Sequence, residues 1–191
     1  MDNKIIIAID AMGGENAPYK NIEGVSLYCK KNKQRDDFHF NLYGDKILIK
    51  KELDKRNVST EIYSIFQSST VVSDEETPLA AIKNSKDSSM WNSINSQIVA
   101  NSNITLSAGN TGVLFVVSRM LLKTIDSVSK PALAGLWPNE KNMNVVLDLG
   151  ANVECDDKNL IDFSEMGAAL YKALFPEETP KVALLNIGSE E

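Results

Sequence analysis

The pattern of hydrophobic and polar positions predicts strands and helices that alternate along the chain. Short apolar runs predict buried strands at residues 5–9, 104–106 and 182–187, and an alternating run predicts a strand at residues 38–43. Another strand is predicted at residues 61–66, and residues 131–137 and 144–149 are predicted to pair across the polar turn NEKN. Helices are predicted after Pro18, after the capping residue Asp45, after Thr77-Pro78, and at residues 90–100, 113–122 and 160–175.

This order of elements predicts an α/β fold. A mostly parallel sheet with helices on both faces is expected, in one domain over residues 1–191. Residues 113–122 are apolar nearly all round, so this helix is expected to be buried in the core. Only four residues follow the last predicted strand, whereas a strand of such a sheet normally continues into a covering helix. The sheet is therefore expected to be incomplete at its C-terminal end.

Charge and composition narrow the range of partners and compartments. The net charge is -6, which disfavours nucleic acid as a partner, and the basic run at residues 30–35 is followed at once by Asp36 and Asp37, as in a solvated helix end. Cys29 and Cys155 are far apart and in no metal or redox spacing, which fits a reducing cytosol. The N-terminus has no leader pattern and no apolar run is long enough to span a bilayer, so a cytoplasmic protein is expected.

Small and polar residues follow four of the predicted strands, and they carry the strongest functional signal. The loops are DAMGGENAP, SAGNTG, DLGANVE and NIGSEE. If the strands are parallel, these loops gather at the carboxyl edge of the sheet, where open α/β sheets bind ligands. Helix N-termini after Gly14 and Gly112 would then direct N–H groups at an anion. The same residues also fit simpler roles: Gly13-Gly14 as a tight turn, and Asp10, Asp148 and Asn110-Thr111 as loop or helix caps.

Other site chemistries lack the residues that they need. Neither nucleotide-binding glycine motif is present, and no G-x-S-x-G elbow occurs. The only histidine, His39, lies in the alternating strand and is expected to be structural or exposed, so no Ser/His triad forms. No His, Cys and carboxylate cluster has the spacing of a metal site, so a bound metal is not expected. The chemistry that remains possible is binding of an anion by backbone N–H groups and side-chain amides.

Five segments carry a resemblance to a known family. DAMGGENAP, KDSSM, SAGNTG, LDLGANVE and LLNIGSEE occur in the order found in the bacterial phosphate acyltransferase family PlsX, and the likeness runs from residue 5 to residue 191. The resemblance implies a three-layer α/β/α sandwich related to phosphotransacetylases and isocitrate dehydrogenases. It implies attack of inorganic phosphate on the thioester of acyl-carrier protein, which gives acyl phosphate for phospholipid synthesis, and it implies that no organic cofactor takes part. It also implies a homodimer that docks on the membrane and passes acyl phosphate to a membrane acyltransferase.

Under this resemblance, an anion cradle is expected in the first two loops, because phosphate is itself the nucleophile. Asp10 and Asp148 are expected to orient loops, because a carboxylate repels phosphate. The candidate catalytic positions are Asp10, Asn110, Thr111 and Asn152, and the candidate phosphate or acyl contacts are Gly13, Gly14, Asn16, Ser107, Gly109, Gly112, Asn186, Gly188 and Ser189.

Two departures from the family pattern limit this expectation. The first motif usually reads GGDHAP, whereas this chain has Glu15-Asn16, and an asparagine can donate a hydrogen bond but cannot carry a proton near neutral pH. Family members also continue past the GSEE segment, at once with a Lys-Gly segment and then with a further site loop, dimer contacts and amphipathic helices. The chain is therefore expected to be the N-terminal half of such a protein. The alternative is an inactive remnant, or one that only binds an anion or the carrier protein.

Overall fold

Two compact units, Met1–Lys123 and Thr124–Glu191, make up the chain in a computed structural model. The structure describes residues 4–73, 75, 77, 80, 83–140 and 142–185. Each unit contains its own sheet. The single domain predicted for residues 1–191 stays a prediction.

The first unit is built on a four-stranded parallel sheet in the order β3-β2-β1-β4. Its described elements, in chain order, are β1 (Ile5–Asp10), α1 (Tyr19–Lys31), β2 (Phe38–Gly44), α2 (Lys46–Lys55), a 3-10 turn (Thr60–Ile62), β3 (Tyr63–Gln67), α3 (Ser89–Ile98), β4 (Ile104–Ser107) and α4 (Thr111–Leu122). This confirms the predicted α/β class, because parallel strands alternate with helices.

Helices cover both faces of this sheet. On one face, α1 and α2 bury Ile22, Val25, Ile49 and Leu53 against β1 and β2 in the larger core cluster. Side chains of successive strand residues point to opposite faces. On the other face, α3 packs against β1, β2 and β4, and the hydroxyl of Thr105 in β4 donates a 2.9 Å hydrogen bond to the carbonyl of Ser93 in α3.

Local sequence signals explain where several helices begin. Asp45 accepts hydrogen bonds from the N–H groups of Ile47 and Leu48, as predicted, and so caps α2. The hydroxyl of Ser88 accepts from the N–H of Trp91 and caps α3. The N-termini of α2 and α3 are therefore fixed by short polar side chains.

The second unit contains a two-stranded antiparallel sheet and one long helix. β5 (Gly135–Pro138) pairs with β6 (Met143–Val146), which confirms the predicted hairpin with shorter strands. The helix α5 (Asp157–Leu174) begins with a capping box, in which Asp156 and Asn159 each accept a hydrogen bond from the other's backbone N–H. In the described residues, α5 packs against β6.

Three predictions about burial were wrong. Within the described residues, only Val113 and Val117 of α4 are buried, so this apolar helix is not enclosed on all sides. The first three residues of β1 are not buried either: Ile5 is exposed, and Ile6 and Ile7 are partly buried. Residues 182–185 form no strand and Leu185 is 72% exposed, since no strand among the described residues pairs with them.

The short helix predicted after Thr77 lies largely outside the described residues. Thr77 accepts a 3.3 Å hydrogen bond from the N–H of Ala80, as expected for a cap. The basic run at residues 30–35 is the solvated helix end that its sequence predicts, because α1 ends at Lys31 and Arg35 pairs with Asp37 at 2.7 Å on the surface.

Candidate functional site

The first and second polar loops lie side by side because β1 and β4 are neighbouring parallel strands. Asp10, the last residue of β1, is in register with Ser107, the last residue of β4. Both strands therefore end at the same edge of the sheet, and the loops at residues 11–18 and 108–110 begin together there. This is the ligand-binding edge of an open α/β sheet.

A chain of hydrogen bonds joins the two loops. The hydroxyl of Ser107 donates a 2.7 Å hydrogen bond to Oδ2 of Asp10. The same hydroxyl accepts a 3.1 Å hydrogen bond from the backbone N–H of Gly109. Asp10 thus fixes the start of the second loop through Ser107, which is the orienting role that the sequence predicts for this carboxylate.

Asp10 is an acid in an unusually enclosed position. It is 1% exposed, and burial raises its pKa above the ordinary value, although the Ser107 hydroxyl and the backbone at Met12 and Gly13 oppose that shift. Among the described residues, no group completes a hydrogen bond to Oδ1 of Asp10 or to the hydroxyl of Ser89. The carboxyl therefore carries a desolvation cost that its contacts only partly offset.

Two glycines allow the loops to approach each other this closely. A Cβ atom at Gly13 would collide with the Asp10 carboxylate and lie 3.0 Å from the backbone nitrogen of Gly109. Gly14 has a φ of +84°, and a Cβ atom there would lie 2.5 Å from the carbonyl oxygen of Ala108. Gly13 and Gly14 are therefore needed where the first loop packs on the second, and not only for a turn.

Asn21 is a site residue that the sequence analysis missed. Its side-chain amide donates hydrogen bonds of 3.0 Å to the carbonyl of Ala11 and 2.9 Å to the carbonyl of Gly13. This residue is in the first turn of α1 and so ties that helix to the loop before it. Nothing in the apolar periodicity distinguishes this asparagine from other polar positions of α1.

The second loop leads directly into the N-terminus of α4. The side-chain oxygen of Asn110 accepts a 3.0 Å hydrogen bond from the N–H of Val113, which confirms the capping role considered for Asn110. Thr111 and Gly112 form the exposed first turn. Their N–H groups belong to the helix positions that have no intrahelical acceptor, and they carry the positive end of the helix dipole.

Asn16 and His39 take no part in the hydrogen bonds described for this junction of loops. Asn16 is exposed and has a φ of +58°, a conformation that asparagine adopts more readily than most residues. His39 lies in β2, where its Nε2 is 2.9 Å from the hydroxyl of Ser64 and burial lowers its pKa. These contacts support the structural role predicted for His39.

The third polar loop belongs to the second unit. It follows β6, which is antiparallel to β5 and is not a strand of the four-stranded sheet. The prediction that this loop joins the first two required parallel strands of one sheet, and β6 does not meet that requirement. Asp148 accepts hydrogen bonds from the N–H groups of Leu133 and Asn152 at 2.8 and 2.7 Å. The Asn152 amide donates to Asp148 and to the carbonyl of Pro131.

These contacts determine the electrostatics of Asp148. Partial burial acts to raise its pKa, but the hydrogen bonds from Leu133, Asn152 and Ala151 outweigh it, so the pKa of Asp148 lies below the ordinary value. Asp148 thus orients its loop, as predicted, and Asn152 is part of that support. The predicted contacts Asn186, Gly188 and Ser189 of the fourth loop lie outside the described residues.

The described part of the chain offers neither a metal cluster nor a membrane-spanning helix. Within it, no group of three His, Cys, Asp or Glu side chains is placed to hold a metal ion. No helix in it is long and apolar enough to cross a membrane.

Comparison with known proteins places the chain in a family. Residues 5–191 match the model of the family described as "Fatty acid synthesis protein", and the chain belongs to that family. It is 48% identical over 191 residues to the phosphate acyltransferase of Pelagibacter ubique and 42% identical over 192 residues to that of Anaplasma phagocytophilum. All of the chain is covered in both cases, but only 56% and 55% of those proteins, so the chain spans about half the length of these curated relatives.

A solved structure supports the fold independently of sequence. The chain is similar to EutD phosphotransacetylase from Staphylococcus aureus with a TM-score of 0.61 at 12% identity, over 92% of this chain and 55% of that one. At this identity the likeness concerns the fold alone. It confirms the phosphotransacetylase-like α/β fold that the family resemblance implies.

Proposed function

We propose that the chain contributes the phosphate-binding loops of an acyltransferase that uses inorganic phosphate to release an acyl group from acyl-carrier protein. The observation that carries this proposal is the Asp10–Ser107–Gly109 junction, which holds two glycine loops and a helix N-terminus together at the carboxyl edge of a parallel sheet. Family membership and the phosphate acyltransferase names of the relatives support the same reaction.

The proposed reaction transfers the acyl group from sulfur to oxygen. A phosphate oxygen forms a bond to the carbonyl carbon of the thioester, and the carbonyl oxygen becomes an oxyanion. When the oxyanion collapses, the C–S bond breaks, and the carrier protein leaves as a thiolate that takes up a proton. The protein must therefore position a dianion and supply hydrogen-bond donors to an oxyanion.

We divide the predicted cradle into proposed donors and proposed supports. The N–H of Gly109 is bonded to Ser107, and the N–H of Gly13 makes a 3.4 Å turn bond to the carbonyl of Asp10. We assign these two glycines to close packing of the loops. Thr111 and Gly112, at the exposed start of α4, are the proposed backbone donors to phosphate.

Asp10 acts in this scheme as a positioning residue. Its Oδ2 is bonded to the Ser107 hydroxyl, and a carboxylate directed at phosphate would repel it. Asn16 and Gly14 remain proposed contacts at the rim of the first loop. Asn152, with Asp148, is proposed to hold the third loop in a binding conformation.

The wider setting is proposed from the family resemblance. We propose acyl-carrier protein and inorganic phosphate as substrates, a cytoplasmic location, and a homodimer in the full-length form. The acyl phosphate product would pass to a membrane acyltransferase. Neither a metal nor an organic cofactor enters the proposed reaction.

A hydroxylamine-trapping assay tests this function. Purified residues 1–191 are incubated with an acyl-carrier protein thioester, hydroxylamine and either phosphate or no phosphate, and folding is checked by circular dichroism. Hydroxamate formation that requires phosphate supports acyl phosphate synthesis by this chain. A folded protein that binds the carrier protein but forms no phosphate-dependent hydroxamate would contradict it and favour the binding remnant.

A further inference from the structure

The segment KDSSM at residues 86–90 has no part in the proposed reaction, although it is one of the five segments that carry the family resemblance. Its last three residues are enclosed: Ser88 is fully buried, and Ser89 and Met90 are each 1% exposed. The Ser88 hydroxyl caps α3, and Met90 belongs to an apolar core cluster. Capping and packing therefore account for Ser88 and Met90, but not for the buried hydroxyl of Ser89.

Backbone hydrogen bonds hold the start of α3 at the carboxyl edge of the sheet. The N–H of Ser89 donates a 3.1 Å hydrogen bond to the carbonyl of Thr70, and the N–H of Ser69 donates one of 3.2 Å to the carbonyl of Asp87. Ser69 and Thr70 come shortly after the end of β3. Because the four strands of this sheet are parallel, the start of α3 lies at the same edge as the two loops.

The first turn of α3 meets both sides of the junction between the two loops. A Cβ atom at Gly109 would lie 2.9 Å from Cε of Met90, so Met90 lies directly against the second loop. Burial raises the pKa of Asp10, and the Ser89 hydroxyl is near enough to the carboxyl to oppose this shift. The two groups are close but not bonded: among the described residues, neither the Ser89 hydroxyl nor Oδ1 of Asp10 has a hydrogen-bond partner.

The Ser89 hydroxyl and Oδ1 of Asp10 are complementary groups. The hydroxyl is a donor whose hydrogen can rotate, and Oδ1 is an acceptor when Asp10 is ionised. A buried polar group without a partner costs free energy, so pairing these two neighbours satisfies both of them with little movement. The other groups that act on this carboxyl are the Ser107 hydroxyl of β4 and the backbone at Met12 and Gly13, and all of them are uncharged.

We propose that Ser89 is a positioning residue for the phosphate site and that it acts through Asp10. This inference rests on the proposed function, because it takes the two loops to bind phosphate. By favouring the ionised carboxylate, the Ser89 hydroxyl strengthens the bond that Asp10 accepts from Ser107, since a charged acceptor makes the stronger hydrogen bond. Ser107 in turn fixes the N–H of Gly109, and with it the loop that leads to Thr111.

Substitution of Ser89 by alanine in the full chain tests this role with two readouts. Carbon-13 NMR of the Asp10 carboxyl should show a further rise of its pKa in Ser89→Ala, because the variant lacks the hydroxyl that stabilises the ionised form. Calorimetry with inorganic phosphate should show binding weakened by roughly two- to tenfold, the range of one net hydrogen bond. Ser93→Ala is the matched control and should change neither readout, since Ser93 is fully buried one turn further along α3 and its hydroxyl bonds locally to the carbonyl of Met90.

The same calorimetry in an Asp10→Asn background shows whether Ser89 acts through Asp10. Asparagine does not titrate, so Ser89→Ala should have little further effect on phosphate affinity there, and an undiminished effect would overturn the proposal. An Asp10 pKa or a phosphate affinity that Ser89→Ala leaves unchanged, in a protein shown by circular dichroism to be folded, would also overturn it and leave the proposed function standing. A folded wild-type chain that does not bind phosphate would contradict the proposed function and this proposal together.

Discussion

The hydroxyl of Ser107 lies 2.7 Å from Oδ2 of Asp10 and joins the ends of two strands that are 97 residues apart in sequence. Parallel pairing of β1 with β4 places the two residues in register, and the hydrogen bond then fixes the loops that follow them. Because the N–H of Gly109 is bonded to the same hydroxyl, one serine supports both sides of the proposed phosphate site.

Replacing Gly14 should destabilise the first unit. Gly14→Ala imposes a Cβ atom at a φ of +84° and 2.5 Å from the carbonyl oxygen of Ala108, so the free energy of unfolding should fall by more than about 1 kcal/mol. Urea unfolding followed by circular dichroism measures this change. Gly24→Ala is the matched control and should raise the free energy of unfolding by up to about 1 kcal/mol, since Gly24 lies in a helix with open space around it. Equal effects of the two substitutions would contradict the close packing of the loops.

Asp10 should make the protein less stable as the pH rises. Burial raises its pKa in the folded state, so its contribution to stability is greatest below its ordinary pKa and is lost as the pH rises through the folded-state pKa. Asp10→Asn keeps an acceptor for Ser107 and does not titrate. The variant should therefore be more stable than the wild type at neutral pH, with the difference vanishing in acid. Urea unfolding at a series of pH values measures the difference, and a difference that does not depend on pH would refute this account of Asp10.

Asp148 should make the protein less stable as the pH falls, which is the opposite of the effect of Asp10. Its hydrogen bonds lower its pKa, so its contribution to stability is present above its ordinary pKa and is lost as the pH falls through the folded-state pKa. Asp148→Asn should therefore destabilise the second unit at neutral pH and have little effect in acid. Fluorescence of Trp137 in a Trp91→Phe background reports this unit, because the chain has two tryptophans and Trp91 is in the first unit. A loss of stability that grows in acid would be inconsistent with the hydrogen bonds described here.

Asn21 should control the order of the first loop. Asn21→Asp places a carboxylate against the carbonyl groups of Ala11 and Gly13, which now accept hydrogen bonds from the amide. Loss of these bonds leaves the carbonyls unpaired and should cost about 1–3 kcal/mol. Hydrogen exchange of the loop amides should accelerate in the variant. Glu23→Gln, on the same helix, serves as the control, and unchanged exchange in Asn21→Asp would show that the loop is held by other contacts.

The sequence predicts the six strands seen in the described residues, most helix starts and the hairpin, because these depend on local signals. Asp45 is an example: its position before an apolar helical pattern is enough to predict a cap, and it caps α2. The sequence also shows that polar loops begin at Asp10 and Ser107. It does not show that these two loops are neighbours, because that depends on the pairing of β1 with β4. The role of Asn21 depends on where the loop carbonyls lie, which no periodicity reports.

Burial was harder to predict than the elements themselves. The apolar pattern of α4 shows a helix but does not show what covers each of its faces, and only Val113 and Val117 are buried among the described residues. The third loop follows a strand, as predicted, but β6 pairs antiparallel with β5 in a separate sheet. The apolar pattern of a strand does not specify its partner.

Phosphate binding to variants of Thr111 tests the central claim most directly. Thr111 is the first residue of α4, where proline is tolerated, and Asn110 before it has the extended ψ of 115° that proline requires. Thr111→Pro therefore removes one N–H donor and keeps the helix, whereas Thr111→Val removes only the hydroxyl. Calorimetry with inorganic phosphate should show binding weakened roughly 10- to 100-fold by Thr111→Pro, less by Thr111→Val, and not at all by substitution of the exposed Ser127 with alanine. Wild-type affinity in a folded Thr111→Pro variant would contradict a phosphate site at this junction.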